Sequence, residues 1–432
     1  MRKTMRQGSL GAVAVLGALA MILSGCAASG AGTTAGASSS CTPKGGAAPR
    51  GGGEKYIVYM SALNIGNAWQ EAAANLGTAE AKIDPYAKCV EIRKELTEPT
   101  PEQQISQIQS MVAAGADAIV TYPLSPTAIN SAYKDACKQG VTVVSYDATV
   151  TEPCVYNVSY ITSKPEGSDK RFMGYNSMDL LAGLMGGKGD IIVGRGILGT
   201  STDLVHYNSS LAALKNYPGM KIATEYEGKW NSAQTKTEVT KALASFPNVS
   251  GLWCGYGESG CVKTLIAAGK KIPVSGETSQ FFREQLLLGW PGVSIGSPPA
   301  QGGIAMKVAL AVLLNGKTGI PLDIEVPYKI VTAKNVKVCK EDTYTDGCNV
   351  FAPGSVGDED TADIFNVMLP ESSLISSKTG TPPTGLKATA YTADYLKGFE
   401  QDKAVRLVTR GACADGWSKT TLPEGVEGCK KG

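Results

Sequence analysis

The chain predicts an α/β protein built as two lobes with parallel sheets, followed by a disulfide-stapled C-terminal extension. Three observations carry this. Short β-rich runs alternate with helical patterns from Lys55 onward. The alternation breaks near residues 155–165 and then restarts. Beyond Val331 it stops, and residues 339–432 are rich in turn formers and hold four of the eleven cysteines. Repeated β-α units bury their strands in parallel sheets, and a length of 432 residues suits two domains.

In the first run, residues 56–60 form a strand and residues 68–83 a helix. A second strand begins at 90–92. Thr100-Pro101-Glu102-Gln103 is a helix start, with a Thr cap, Pro in the first turn and Gln three residues after the cap. Ile105, Ile108, Met111 and Val112 then share one helical face. Residues 118–120 are a strand, 127–138 a helix and 141–145 a strand. The second run places strands at 190–193, 221–223, 249–253, 272–274 and 293–295. Its helices fall at 204–216, 232–245, 259–268 and 301–314. The outcome is two parallel-sheet, Rossmann-like lobes. In such sheets ligands bind beyond the carboxyl ends of the strands.

The N-terminus has the layout of an exported lipoprotein. Arg2, Lys3 and Arg6 precede an apolar run over residues 10–23, too short to span a bilayer comfortably. Leu23-Ser24-Gly25-Cys26 has the form of a lipobox, so residues 1–25 are expected to be a signal peptide and Cys26 the lipidated residue. Residues 27–53 contain no Val, Ile, Leu, Met or aromatic side chain. Such a stretch buries too little apolar surface to offset its ordering entropy, so residues 26–53 are expected to be a flexible tether. No later apolar run is long enough for a membrane helix.

The whole chain has 41 basic and 39 acidic residues; without Arg2, Lys3 and Arg6 the balance is 38 against 39. That balance gives no electrostatic reason to expect nucleic acid. With Cys26 set aside, ten cysteines remain in an exported chain, where disulfides are the expected state. Connectivity stays open at this stage. Adjacent pairing would give Cys41–Cys89, Cys137–Cys154, Cys254–Cys261, Cys339–Cys348 and Cys413–Cys429. No Cys-x-x-Cys occurs and His206 is the only histidine, so no metal site is expected.

Catalytic motifs are poorly supported. Any Ser-His-Asp or Cys-His arrangement must use His206, and Gly257-Glu258-Ser259-Gly260-Cys261 fails the nucleophile-elbow pattern at its last position. Gly194-Arg195-Gly196-Ile197-Leu198-Gly199 matches a dinucleotide fingerprint between a strand and a helix. It opens the second lobe rather than the first, and the export signal places the chain where soluble nicotinamide cofactors are scarce. No cofactor is expected, and the glycines are read as a loop at the cleft rim. Polar and aromatic residues recur instead at strand ends. Asn64, Asn67 and Trp69 follow the first strand, and Asp147 the fourth. His206 and Tyr207 open the helix after the Gly-rich loop. Trp230, Tyr256 and Glu277 follow later strands, and Gln301 opens a later helix. Asp, Glu, Asn, Gln and His satisfy a polyhydroxylated ligand, and an indole face suits the C–H face of a sugar.

At these residues the chain resembles the type I periplasmic-binding-protein family, in particular its ribose-type sugar-binding members. The resemblance covers roughly residues 55–332. It is carried by SALNIGNAWQEAA, PEQQISQIQSMVAAGADAIVTYPLSPTAINSAYKDACKQGVTVVSYDA, GTSTDLVHYNSSLAALKNYPGMKI, EGKWNSAQTKTEV and SGETSQFF. The resemblance implies that Asp147 binds ligand hydroxyls, that Trp69 and Trp230 stack on the sugar, and that Glu277 and Gln301 complete the site. His206 or Tyr207 stands where the family usually has Arg. The loss of that always-charged fork donor argues against ribose itself.

The family also implies the type I fold, with a multi-strand hinge and a clamshell closing on its ligand. Residues 54–160 plus 298–327 would form the N-terminal lobe, and 161–297 plus 328–338 the C-terminal lobe. Residues 339–432 would be an extension wrapped on the lobes with little regular core. The expected function is capture of a small sugar or polyol by a monomeric, membrane-anchored, extracytoplasmic protein, for an ABC transporter permease. Two alternatives are a sensor presenting ligand to a membrane receptor, and an exported enzyme.

Overall fold

The structure is a computed structural model. It describes Cys41 and residues 48–160, 173–316, 319–340 and 348–396 in full, with the backbone of 397, 406–407, 417–421 and 427–431. The signal segment and Cys26 lie outside the described residues.

The first half of the body contains β1 (Tyr56–Leu63), α1 (Ala68–Ala81), β2 (Val90–Thr97), α2 (Pro101–Ala113), β3 (Ala118–Thr121), α3 (Asn130–Lys138), β4 (Thr142–Tyr146) and β5 (Tyr156–Ser159). The second contains α4 (Met173–Leu184), β6 (Lys188–Arg195), α5 (Ser201–Leu214), β7 (Gly219–Glu227), α6 (Ser232–Ser245), β8 (Gly251–Gly255), α7 (Glu258–Ala267), β9 (Val274–Gly276), α8 (Gln280–Leu287) and β10 (Gly292–Gly296). The chain then returns. Helix α9 (Ala300–Asn315) and β11 (Asp323–Glu325) join the first half, and β12 (Lys329–Thr332) joins the second. The sheet orders are β11-β5-β4-β3-β1-β2 and β12-β10-β9-β8-β6-β7. Within these two sheets every pairing is parallel except that of β10 with β12. Strand order therefore reverses beside β1 in one sheet and beside β6 in the other. The crevice for a ligand opens at such switch points.

The local sequence explains these elements. Strands β3 and β4 are buried on both faces, as parallel strands covered by helices must be. Asn67 caps α1, Thr100 caps α2 ahead of Pro101, Thr200 caps α5 and Asn231 caps α6, each by accepting a backbone N–H. Helices α1 and α9 approach closely. A Cβ added to Gly302 would stand 2.2 Å from the Ala73 carbonyl oxygen, so only glycine fits there.

Four elements groups depart from the sequence reading. The segment read as a break near residue 155 holds β5, a four-residue strand inside the sheet. Helix α4 was not expected because ten of its twelve residues are buried, which leaves no polar stripe to mark the period. Helix α8 and the short strands β11 and β12 were also not expected. Helix α3 begins three residues later than its pattern suggested.

The disulfides are Cys41–Cys89, Cys137–Cys154, Cys254–Cys261 and Cys339–Cys348. Cys413–Cys429 lies outside the residues described in full. The first bond shortens the expected tether. It binds Cys41 to the body, and Arg50 donates from its backbone to Asp117 at 2.7 Å and from Nη1 to the Ala116 carbonyl at 2.6 Å. These ties are polar and covalent, so the scarcity of apolar side chains in this stretch does not foretell them.

The extension carries more core than its composition suggested. Cys339, Cys348, Phe351, Ala362, Ile364 and Ile375 cluster with Leu76, Ala79 and Ile83 of the α1 region. It continues through α10 (Ala393–Lys397) to a small sheet of β13 (Arg406–Leu407), β14 (Trp417–Thr421) and β15 (Glu427–Lys431). Buried ion pairs tie it to each half. In the second half, the fully buried Arg283 donates to the Asn349 carbonyl at 2.6 Å and lies 3.6 Å from Asp363. In the first, Lys307 donates to Glu371 at 2.6 Å and stands 3.7 Å from Glu80.

Candidate functional site

At the carboxyl ends of both sheets lies a narrow cavity of about 30 Å³, within an empty space of about 320 Å³ that includes its mouth. The first half contributes Asn67, Trp69 and Gln70 after β1, Tyr122 after β3, and Asp147 after β4. The second contributes Thr202 and His206 after β6, Trp230 after β7, Tyr256 after β8, and Glu277 after β9. Ser297, after β10, stands at the crossover to α9.

The first-half wall is held by its own hydrogen bonds. Trp69 Nε1 donates to the Ser297 carbonyl at 2.7 Å, and its ring stacks on Tyr146 with centroids 6.4 Å apart. Asp147 accepts from Gln301 Nε2 at 3.0 Å, while Gln301 Oε1 accepts from the Tyr160 N–H at 3.1 Å. Asp147 has φ 65°, a left-handed conformation that Asp tolerates better than most residues. Burial pushes its carboxyl up to about 6, against the opposing pull of hydrogen bonds from Ser297 and Gln301. It is therefore mostly ionised at neutral pH and serves as an acceptor.

In the second half, His206 shares a short hydrogen bond with the Tyr160 hydroxyl. Burial lowers its imidazole to about 3, so it is neutral. Glu277 is raised well above the carboxylate range, by burial first and then by the charges of Glu258 and Asp147. A carboxyl that keeps its proton can donate. Lys229 and Trp230 both have positive φ, 52° and 53°. Such a conformation costs a non-glycine residue about 1–3 kcal/mol and recurs at binding sites. A Cβ at Gly196 would fall 2.2 Å from the Trp230 ring, so this glycine of the expected rim loop makes room for the indole. Besides the Tyr160–His206 bond and the Trp69–Ser297 bond at the crossover, two more cross between the halves. Asn67 Nδ2 donates to the Trp230 carbonyl at 3.2 Å, and the Tyr122 hydroxyl to Thr202 Oγ1 at 2.9 Å.

Seven of the expected residues thus line the cavity: Asn67, Trp69, Asp147, His206, Trp230, Tyr256 and Glu277. Three do not. Gln301 is fully buried behind Asp147 and touches the site through it. Asn64 continues the edge of β1, with its N–H on the Thr97 carbonyl and its side chain donating to Glu98 at 2.8 Å. Tyr207 turns away, under the Arg195 guanidinium 3.7 Å from its ring and hydrogen-bonded to Glu225. Sequence reading missed Gln70, Tyr122, Thr202 and Ser297. Tyr122 and Ser297 each follow a strand directly, so the rule that found Asp147 would have found them too.

Two parallel-sheet halves with a polar, indole-flanked cavity at the strand ends define a two-lobed solute-binding fold. The sequence profile of the periplasmic binding protein domain matches residues 58–318, and the chain belongs to that family. It is 23% identical over 347 residues to the xylitol-binding protein of Mycolicibacterium smegmatis, covering 78% of this chain and 89% of that one. Among solved structures it resembles an ABC transporter solute-binding protein from Thermobispora bispora, with 25% identity, a TM-score of 0.57, and 65% and 86% of the two chains covered. It also shares its fold with a solute-binding protein from Bacillus halodurans solved with bound myo-inositol. That match has 18% identity, a TM-score of 0.57, and 66% and 97% coverage.

Proposed function

We propose that this chain is the substrate-binding component of an ABC importer, and that it captures a small sugar or polyol between its two halves. The observation that supports this most is the enclosure of the cavity by Trp69 and Trp230, one from each half, around Asp147, Asn67, Gln70, Thr202, His206 and Glu277. A polyhydroxylated ligand offers apolar C–H faces to the indoles. Its hydroxyls both donate and accept. Asp147 accepts from ligand hydroxyls, and Glu277, whose burial and acidic neighbours favour the neutral carboxyl, is placed to donate one in return. The relatives that bind xylitol and myo-inositol belong to the same ligand class.

A cavity of about 30 Å³ holds roughly two waters and no sugar ring. Ligand therefore enters when the halves part, breaking the Asn67–Trp230 and Tyr122–Thr202 bonds, and closure re-forms the wall around it. The parting follows the division into residues 54–160 plus 298–327 and 161–297 plus 328–338. The protein works as an extracytoplasmic monomer, without turnover, and hands its ligand to a permease. Residues 1–25 direct export, and a lipid on Cys26 anchors the chain to the membrane. Thermal shift with xylitol, D-allose, myo-inositol and D-arabinose tests the ligand class. Stabilisation by at least one of these is expected. No shift with any of them, together with a shift from an amino acid or nucleoside, would overturn it.

A further inference from the structure

The extension's segment 358–362 lies against three loops of the second half. The Ala362 N–H donates to the Thr278 carbonyl at 2.8 Å, Gln280 N–H to Asp360 at 2.8 Å, and Phe281 N–H to Asp358 at 3.0 Å. These bonds clip the segment to the loop that follows Glu277. Asp358 pairs with Lys263 at 3.2 Å, and the carboxylate that reaches both neighbouring loops is Glu359. One oxygen accepts from Ser232 Oγ; the other accepts from Ser259 Oγ and from Lys263 Nζ at 3.0 Å. Ser259 Oγ also lies 3.1 Å from Ser232 Oγ. Ser232 lies two residues after Trp230, and Ser259 three after Tyr256. Both of those aromatic residues line the cavity, and Trp230 holds a left-handed backbone that needs external support.

We infer that Glu359 is a positioning residue for the ligand site: its carboxylate fixes the Trp230 and Tyr256 loops to each other, and the extension is part of the binding machinery. The role rests on the ligand-binding reading above. The family match ends at residue 318, so Glu359 lies outside it. The carboxylate accepts from both loops at once, adding to the direct Ser259–Ser232 contact between them. Clipped beside Glu277, it brings the ends of β7, β8 and β9 onto one support. Asp360 braces the segment from behind by pairing with Lys378 at 2.9 Å.

The test compares the full-length protein with Glu359→Ala and Lys263→Met. Two readouts are used: amide hydrogen exchange in the free proteins, and calorimetric titration with xylitol, D-allose, myo-inositol and D-arabinose. Loss of one to two hydrogen bonds predicts about a tenfold rise in exchange over residues 228–233 and 255–260 in Glu359→Ala, with about a tenfold weaker affinity. Exchange in residues 97–104 stays unchanged, and Lys263→Met, which keeps both serine bonds, behaves like wild type. Unchanged loop exchange in Glu359→Ala overturns the inference, as does loosened exchange with undiminished affinity. If wild type binds none of the four ligands, exchange alone decides the positioning role, and it is the sugar reading that fails.

Discussion

The two walls of the cavity are supported in different ways. In the first half, Trp69 leans on Ser297 and Tyr146, Asp147 on Gln301, and Gln70 Oε1 accepts from the Leu63 N–H and the Tyr146 hydroxyl at 3.4 Å each. All of these supports lie within the family match. In the second half, the loops of Trp230 and Tyr256 meet at Glu359, and the loop of Glu277 is clipped to residues 358–362. A shared fold thus supplies one finished wall and one whose support comes from a segment beyond it. If Glu359 holds these loops as proposed, the extension changes affinity without contributing a lining residue.

The contrast can be broken at the extension's anchor. Replacing Lys307 with Met leaves Glu371 and Glu80 buried without a cation, at a cost of about 3–5 kcal/mol. Urea unfolding should show that loss, and a stability equal to wild type would mean the anchor carries nothing. Within the first wall, Asp147→Ala would remove the hydrogen bonds that the proposed function assigns it toward ligand hydroxyls. About a hundredfold or greater loss of affinity is expected at nearly unchanged melting temperature. Gln301→Ala acts through Asp147 alone and should weaken binding by less, about three- to tenfold. Titration calorimetry separates the two. Equal losses in both variants would make Gln301 a direct contact.

The smallest expected effect is one of pH. Glu80 is raised to about 8 by burial, with Glu371 adding to the shift and Lys307 opposing it. Between about 4.5 and 8 the folded protein therefore binds more protons here than the unfolded chain, and this group's contribution to stability falls as pH rises through that window. His206 works in the opposite sense, because its neutral folded form is favoured above about 3. Its contribution is fully present above the unfolded value near 6.5 and is lost as pH falls. Above that value Glu80 acts without it. Glu80→Gln should flatten the decline in melting temperature between pH 6.5 and 8.5, and parallel curves for variant and wild type would place the proton elsewhere.

Much of this is legible in the amino-acid sequence. The alternation marks most of both sheets, because most strands are short and most crossover helices carry a periodic face; α4, buried nearly all round, is the exception. The site was legible because parallel strands present their carboxyl ends to one crevice. Failures were local. Tyr207 is one residue from His206, and one helical step of about 100° turns it away from the cavity and onto Arg195. Asn64 falls before the chain bends into the crevice. Gln301 carries the right chemistry one layer too deep. The extension gave least, because single buried pairs such as Arg283–Asp363 and Lys307–Glu371 leave no period in a sequence.

The central claim is a polyhydroxylated ligand held between Trp69 and Trp230. The most direct measurement is calorimetric titration of wild type and Trp230→Phe with xylitol, D-allose, myo-inositol and D-arabinose. The account predicts one-to-one binding of at least one ligand by wild type. The smaller ring should weaken that binding about tenfold, because part of the stacked face is lost. No heat from wild type with any of the four, or identical affinities for wild type and Trp230→Phe, would contradict it.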